Sequence, residues 1–316
     1  MSEPLALLPL ALAAAGGRVD AWSTTQLVAA GLTLLQRSAP LVRALAGRRS
    51  AIMLPNSPAL ITALAASDGR GALLLPPSLP TDELSRRLQE ANVGAVFTNA
   101  VLAERLPEGV TVALLDDAPR SAHVIAPGRT MTVDLGSHHG LSLEGDRAAE
   151  GREEECVVWF DDLEPRPLTA ITHRELLQNA RRMATELLLT PVDTTIAARP
   201  LSDPPTLTCG VLAPLLAAGC VQMPQDHDAA ALLSTLATVP ATMLVGDAPM
   251  YAGILAHLEA LQVRWTAPSL ATCVCIGTHA DAPLGARWTA TTGTRLTWYS
   301  ATSRSENRAT GSGDDL

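Results

Sequence analysis

The stretch Val157-Val158-Trp159-Phe160-Asp161-Asp162-Leu163-Glu164-Pro165-Arg166-Pro167-Leu168-Thr169-Ala170-Ile171-Thr172-His173-Arg174-Glu175-Leu176 decides how this chain is read. It opens apolar, turns acidic and proline-rich, and closes on Thr172-His173-Arg174-Glu175, where an amphipathic helix begins and runs over 173–189. The middle is unsuited to holding an anion. Asp161, Asp162 and Glu164 repel negative charge, and Pro165 and Pro167 remove two N–H donors. No glycine occurs between Gly151 and Gly210, so the backbone lacks the freedom that lets N–H groups converge on a phosphate. Arg166 restores some positive charge, as a planar fork rather than a mobile ammonium.

On the N-terminal side, strands alternate with helices. Residues 4–15 read as an apolar first helix; a signal peptide's positive start is absent, since Glu3 is the only early charged side chain. A helix is expected over 22–46, capped by Ser23 or Thr24 and broken or kinked at Pro40. Strands follow at 51–54, 72–75, 95–98 and 110–115, with helices at 59–68 and 81–90. Residues 116–155 read as a solvated linker with an acidic end. His138 and His139 are adjacent on an extended segment and point to opposite sides, so they do not share an ion. Beyond the central stretch, strands are expected at 194–199, 221–223, 243–245, 270–276 and 295–299. Helices are expected at 207–218 and 229–238, and from Tyr251 to Leu261. The alternation implies βαβ units and mainly parallel sheets.

Several pieces in this order resemble the adenylate-forming superfamily, the AMP-dependent synthetases and ligases that include acyl-CoA synthetases. They are Ala21-Trp22-Ser23-Thr24, Ile52-Met53-Leu54-Pro55-Asn56-Ser57-Pro58, Gly71-Ala72-Leu73-Leu74-Leu75-Pro76, Thr172-His173-Arg174 and the strand leading to Pro249-Met250-Tyr251. The resemblance runs from about residue 20 to about residue 303. It implies the family's N-terminal large domain, truncated and with degenerate motifs. The expected fold is α/β: two stacked αβα subdomains with mainly parallel sheets. The expected division is 1–150 for the first subdomain with its acidic linker, 151–300 for the second with the phosphate-loop remnant, and 301–316 for a disordered tail.

The family joins a carboxylate to AMP from ATP with Mg²⁺ and passes the acyl group to a thiol. Carried onto this chain, the resemblance implies Thr172, Gly277, Tyr299 and Thr302 as a vestigial nucleotide site. It also shows departures. The phosphate-loop glycine positions fall near Asp161 and Glu164 and the lysine position near Pro167. A histidine position is Asp203, a glycine position is Thr206, and the Mg²⁺-binding glutamate position is Ser303. The catalytic C-terminal domain of the family has no counterpart in the sequence. No catalytic residue and no metal ligand is therefore assigned, and no cofactor is expected; ATP or AMP with Mg²⁺ enters only if the site works.

Composition narrows the function. All 23 basic residues are Arg, so any step needing a lysine amine is beyond this chain alone. The formal charge of −9 argues against a broad nucleic-acid surface. Aromatics are only 3%, which leaves Ala and Leu to fill the core. Cys156, Cys209, Cys220, Cys273 and Cys275 are an odd, scattered set that fits reduced thiols in a cytoplasm. Cys273 and Cys275 read as buried strand residues, because their spacing is too tight for a zinc pair. No segment has transmembrane length. Three functional readings follow. The first is a catalytically inactive pseudoenzyme that binds an acyl group or a partner such as an acyl carrier protein. The second is the adenylating half of a split acyl-CoA synthetase or acyl-carrier-protein ligase whose C-terminal domain is a separate chain. The third is a decayed gene product.

Overall fold

The computed structural model describes residues 8–67, 71–136, 155–160, 168–262, 265, 269–277 and 281–299. The chain begins with α1 (Leu8–Ala15), β1 (Arg18–Val19), β2 (Trp22–Ser23), α2 (Thr24–Arg37) and α3 (Ala39–Ala44). It continues through β3 (Arg49–Met53), α4 (Ala59–Ser67), β4 (Ala72–Leu74), α5 (Thr81–Glu90), β5 (Val93–Thr98), α6 (Ala100–Ala103) and β6 (Thr111–Leu115). Next come β7 (Ser121–Ala126), β8 (Arg129–Asp134), β9 (Glu155–Phe160), β10 (Leu168–Thr172) and α7 (His173–Glu186). The last part holds β11 (Thr194–Ala197), α8 (Pro204–Leu207), a π-helical turn (Thr208–Leu212), α9 (Ala213–Leu216), β12 (Cys220–Gln222) and α10 (Ala229–Thr238). It ends with β13 (Met243–Gly246), α11 (Ala248–Leu261), β14 (Thr272–Ile276), α12 (Ala282–Thr292) and β15 (Leu296–Tyr299).

Among the described residues the strands form two mostly parallel sheets. The first has the order β10-β9-β4-β3-β5-β6-β7-β8, and the second β15-β14-β13-β11-β12-β1-β2. Antiparallel pairs lie towards the edges: β10 with β9, β6 with β7, β7 with β8, and β1 with β2. The sheets share the chain differently from a division at residue 150. The buried apolar strand β9 pairs parallel with β4, so the first sheet extends to Thr172, and β1 joins the second sheet beside β12.

Strand periodicity puts successive side chains on opposite faces, and both sheets are covered on both faces. In β3, Ile52 faces one core while Ala51 and Met53 face another, which α5 closes with Leu84 and Leu88. In the second sheet, Leu244, Cys273 and Cys275 pack under α10, α11 and α12. The opposite face presents Met243, Val245, Val274 and Ile276 to Met183 of α7 and Cys209 of the π turn. Helices α1, α2, α4 and α7 and the segment 204–216 contribute to one continuous core that also takes in residues of both sheets.

Two close approaches set this middle layer. Gly31 of α2 meets α4 so tightly that a β-carbon there would lie 2.3 Å from the Thr62 carbonyl oxygen. The Thr62 hydroxyl donates to the Leu27 carbonyl across the same contact. Asn56 follows β3 and reaches the other sheet. Its Nδ2 donates to the carbonyls of Ala197 (3.2 Å) and Arg199 (2.7 Å), and its Oδ1 accepts the Leu201 N–H (3.2 Å). Those bonds use both amide protons, so His227 Nε2, 3.2 Å away, donates instead to the Pro224 carbonyl.

Several expectations change in detail. Ser23 caps α2 with a full capping box, its hydroxyl accepting Gln26 N–H and the Gln26 side chain accepting Ser23 N–H. The break near Pro40 falls at Ser38, which caps α3. Part of the expected linker is a hairpin, because Ala122 and Val124 alternate with exposed His123 and Ile125 and Pro127-Gly128 turns the chain. His123 pairs across it with Thr132 at 2.9 Å. His138, His139 and the acids Glu150, Glu153 and Glu154 lie outside the described residues, but Glu155 opens β9 and pairs with Arg49 through two bonds of 2.7 and 2.8 Å. The expected helix at 207–218 is split by its π turn before Pro214, whose missing N–H disturbs the regular ladder. Helix α12 was not anticipated, although Asp281, Pro283 and Gly293 mark its two ends.

Two substitutions test the middle layer by urea unfolding. Asn56→Ala strands two buried carbonyls and an N–H and is expected to cost about 3 kcal/mol. Gly31→Ala forces α2 away from α4 and is expected to cost about 3 kcal/mol, whereas Gly253→Ala in α11, where a β-carbon meets nothing within 4 Å, leaves the midpoint unchanged or raised.

Candidate functional site

In an open α/β sheet, ligands are received at the carboxyl ends of the strands, where helix N-termini collect. In the second sheet, that edge is formed by the ends of β11, β13, β14 and β15. Gly277 and Tyr299 meet there: Gly277 N–H donates to the Tyr299 carbonyl at 3.1 Å, continuing the β14–β15 ladder. A β-carbon on Gly277 would meet nothing within 4 Å, so packing does not require glycine at this position. Tyr299 lies half-buried against the cluster containing Met183 and Ile276.

Thr172 ends β10 on the other sheet and is the N-cap of α7. Its hydroxyl accepts Glu175 N–H at 3.2 Å, while the Glu175 carboxylate accepts the Thr172 N–H at 3.1 Å. The helix it starts carries Met183 into the cluster against which Tyr299 packs. The capping box engages both the Thr172 hydroxyl and its N–H. Thr302, Ser303, Thr278 and the loop 161–167 lie outside the described residues.

The sequence reading missed a ring of capping carboxylates on this edge. Asp203 caps α8 by accepting Thr206 N–H at 3.3 Å and the Thr206 hydroxyl at 2.6 Å. Asp247 caps α11 by accepting Met250 N–H at 2.9 Å, and Asp281 caps α12 by accepting Leu284 N–H at 2.9 Å. Each sits between a strand and its following helix, at the position a bound phosphate takes in a βα unit. The pattern was legible: Asp203-Pro204, Asp247-Ala248-Pro249 and Asp281-Ala282-Pro283 all place an acid just before a helical proline.

Arg199, just past β11, is held between two of these acids. Its Nη1 lies 3.4 Å from Asp203 Oδ2 and its Nε lies 3.3 Å from Asp247 Oδ2. The Nε–H is not aligned for a hydrogen bond despite that distance, so the second contact is a charge contact. The local field is felt below the edge. Burial pushes the Cys275 thiol up to about 12, the carboxylates of Asp247 and Asp281 add to the rise, and Arg199 opposes it. Burial likewise pushes Cys209 and Cys273 up to about 12, so these thiols stay protonated and inert. Cys156, Cys209, Cys273 and Cys275 are all buried and free, as expected for core cysteines.

Among the described residues, the donors at this edge do not fit the nucleotide and Mg²⁺ that the fold implies. The helix N-termini of α8, α11 and α12 already carry carboxylates, Thr172 is committed to its cap, and the sequence of residues 161–167 has acids and prolines without glycine or lysine. Among the described residues, no group of three or more His, Cys, Asp or Glu is placed to hold a metal ion.

No protein-family model matches the chain. Over 249 residues it is 28% identical to a feruloyl-CoA synthase from an Amycolatopsis species, covering 77% of this chain and 46% of that protein. A feruloyl-CoA synthase from a Streptomyces species gives the same values. The chain thus spans about half the length of the curated relatives it matches. Among solved structures, a long-chain-fatty-acid-CoA ligase from Archaeoglobus fulgidus superposes with a TM-score of 0.74 at 13% identity, covering 95% of this chain and 64% of that one. A benzoate CoA ligase from Burkholderia xenovorans gives 0.71 at 16% identity, with 93% and 60% covered. The fold is that of the N-terminal large domain of these acyl-CoA ligases, and the sequence similarity to the feruloyl-CoA synthases lies over the same part. Among the described residues, no helix is long and apolar enough to cross a membrane.

Asp247→Ala removes a helix cap and one carboxylate from Arg199. The expected cost is about 1–2 kcal/mol in urea unfolding, most of it recovered by Asp247→Asn, which caps without charge. A loss of similar size in the Asn variant would assign the contribution to the Arg199 charge instead.

Proposed function

We propose that this chain is a catalytically silent member of the acyl-CoA ligase-like fold, serving as a binding or scaffold protein for an acyl group or a partner such as an acyl carrier protein. The observation that carries this reading is the occupied carboxyl edge of the second sheet. A polyphosphate approaching it meets Asp203, Asp247 and Asp281 at the three helix N-termini, with Arg199 already paired to two of them. Burying an anion against carboxylates is repulsive at any realistic dielectric. The absence of lysine and of loop glycines removes the groups that would offset that repulsion.

A second reading has its own support. The feruloyl-CoA synthases related to this chain are about twice its matched span, so an adenylating half working with a separate C-terminal ligase chain is a coherent alternative.

Titration with ATP and Mg²⁺ by calorimetry and thermal shift separates the two. The silent reading expects no heat and no rise in Tm at millimolar nucleotide; micromolar binding overturns it. The split-enzyme reading expects pyrophosphate exchange when the chain is mixed with a C-terminal ligase domain and a panel of ferulate, benzoate and a long-chain fatty acid.

A further inference from the structure

Helix α1 lies in the middle layer, against α2 and α4 on one side and α7 and α9 on the other. It carries no charged residue, and Leu8, Ala11 and Leu12 are buried in the shared core. Two polar bonds hold it. Thr25 donates its hydroxyl proton to the Ala13 carbonyl at 3.0 Å, and Leu8 N–H donates to His173 Nδ1 at 3.2 Å. Behind it are a glycine turn and then an anchor. Gly16 adopts φ +77°, a conformation glycine takes without strain. The next segment is fixed by Arg18 N–H to the Gly219 carbonyl and Asp20 N–H to the Val221 carbonyl.

His173 is 3% exposed. Because Nδ1 accepts from Leu8, the single proton of the neutral ring sits on Nε2, which is buried without a partner. We propose that α1 is a strap latched by neutral His173 and released when His173 takes up a proton. The chemistry is local. A proton bound at Nδ1 consumes the lone pair that accepts Leu8 N–H and sets two donors facing each other. The same proton places a full charge beside the apolar side chains of α1, where no described carboxylate pairs with it.

Among the described residues, the elements packed against His173 supply no free counter-charge. Helices α1, α4 and α9 carry no ionisable side chain. The ionisable groups on the other elements packed against α7 are Cys209 of the π turn and Glu155 and Cys156 of β9. Both thiols are held protonated by burial, and Glu155 is bonded to Arg49. Arg174 and Glu175, beside His173 on α7, complete the set, with Glu175 engaged at the Thr172 cap.

Burial alone lowers the imidazole from its ordinary 6.5 to about 4. Above pH 6.5 the ring is neutral whether α1 is docked or released, so docking carries no proton penalty. Between 6.5 and about 4 the released form takes up a proton that the docked form refuses, so the docked population falls as pH falls. Docking is therefore weakened by well over tenfold once pH is below about 4.

Hydrogen exchange corrected for intrinsic rates, read on peptides covering 8–15 and 24–37 from pH 7.5 to 4.5, tests the latch on the whole chain. Protection of α1 is expected to fall at least tenfold more than that of α2. The same experiment on His173→Gln, whose amide oxygen accepts without titrating, is expected to remove the difference. Imidazole NMR on the wild-type chain supplies a second measure that does not depend on the variant folding: His173 is expected to titrate with the loss of α1 protection. Equal loss in α1 and α2, α1 protection independent of pH, or a His173 titration unconnected to α1 would each overturn the proposal.

Discussion

Asn56 joins the two sheets through a single side chain. It is 4% exposed, and it satisfies two carbonyls and one N–H at the end of β11 from a position just beyond β3. Those groups lie at and just past the end of the β11 ladder, where the Asn56 amide supplies partners for them. The placement of β11, and with it Arg199 and Asp203, therefore depends on a side chain from the other half of the molecule. Around this tie, α2 and α4 close to backbone contact at Gly31, and the apolar helices of the middle layer fill the space that remains.

The carboxyl edge of the second sheet shows how one device excludes another. A helix N-terminus has unpaired N–H groups and a partial positive charge, and either a capping side chain or a bound anion satisfies it. Here Asp203, Asp247 and Asp281 take that role within the chain. The caps contribute stability whether or not anything binds, and they occupy the positions that would otherwise receive phosphate. Arg199 then balances part of the negative charge locally instead of offering it to a ligand. Gly277 and Tyr299 meet beside these caps in ordinary ladder geometry.

The interior helices carry a different kind of polar choice. His173 begins α7 from a buried position, and its neutral form is what the α1 contact requires. A Thr172–Glu175 capping box places the ring there, so the same short motif starts the helix and orients the imidazole. Cys273 and Cys275 of β14 behave oppositely: deep burial makes them small apolar fillers in the cluster of Tyr251 and Trp288.

The sequence by itself determined the alternation of strands and helices, the family resemblance, and the chemistry missing from residues 161–167. These are local properties: a period of two or 3.6, a cap residue beside its helix, a glycine or lysine present or absent. It did not show the hairpin of β7 and β8, because a short alternating pattern inside a polar segment resembles a loop until it has a neighbouring strand. It did not show that β1 and β2 belong to the second sheet, since a two-residue strand has no period to read. The links Leu8 to His173, Asn56 to Arg199 and Arg49 to Glu155 span more than a hundred residues of chain. Only the tertiary structure decided them, because a hydrogen bond between distant residues leaves no mark on the composition of either segment.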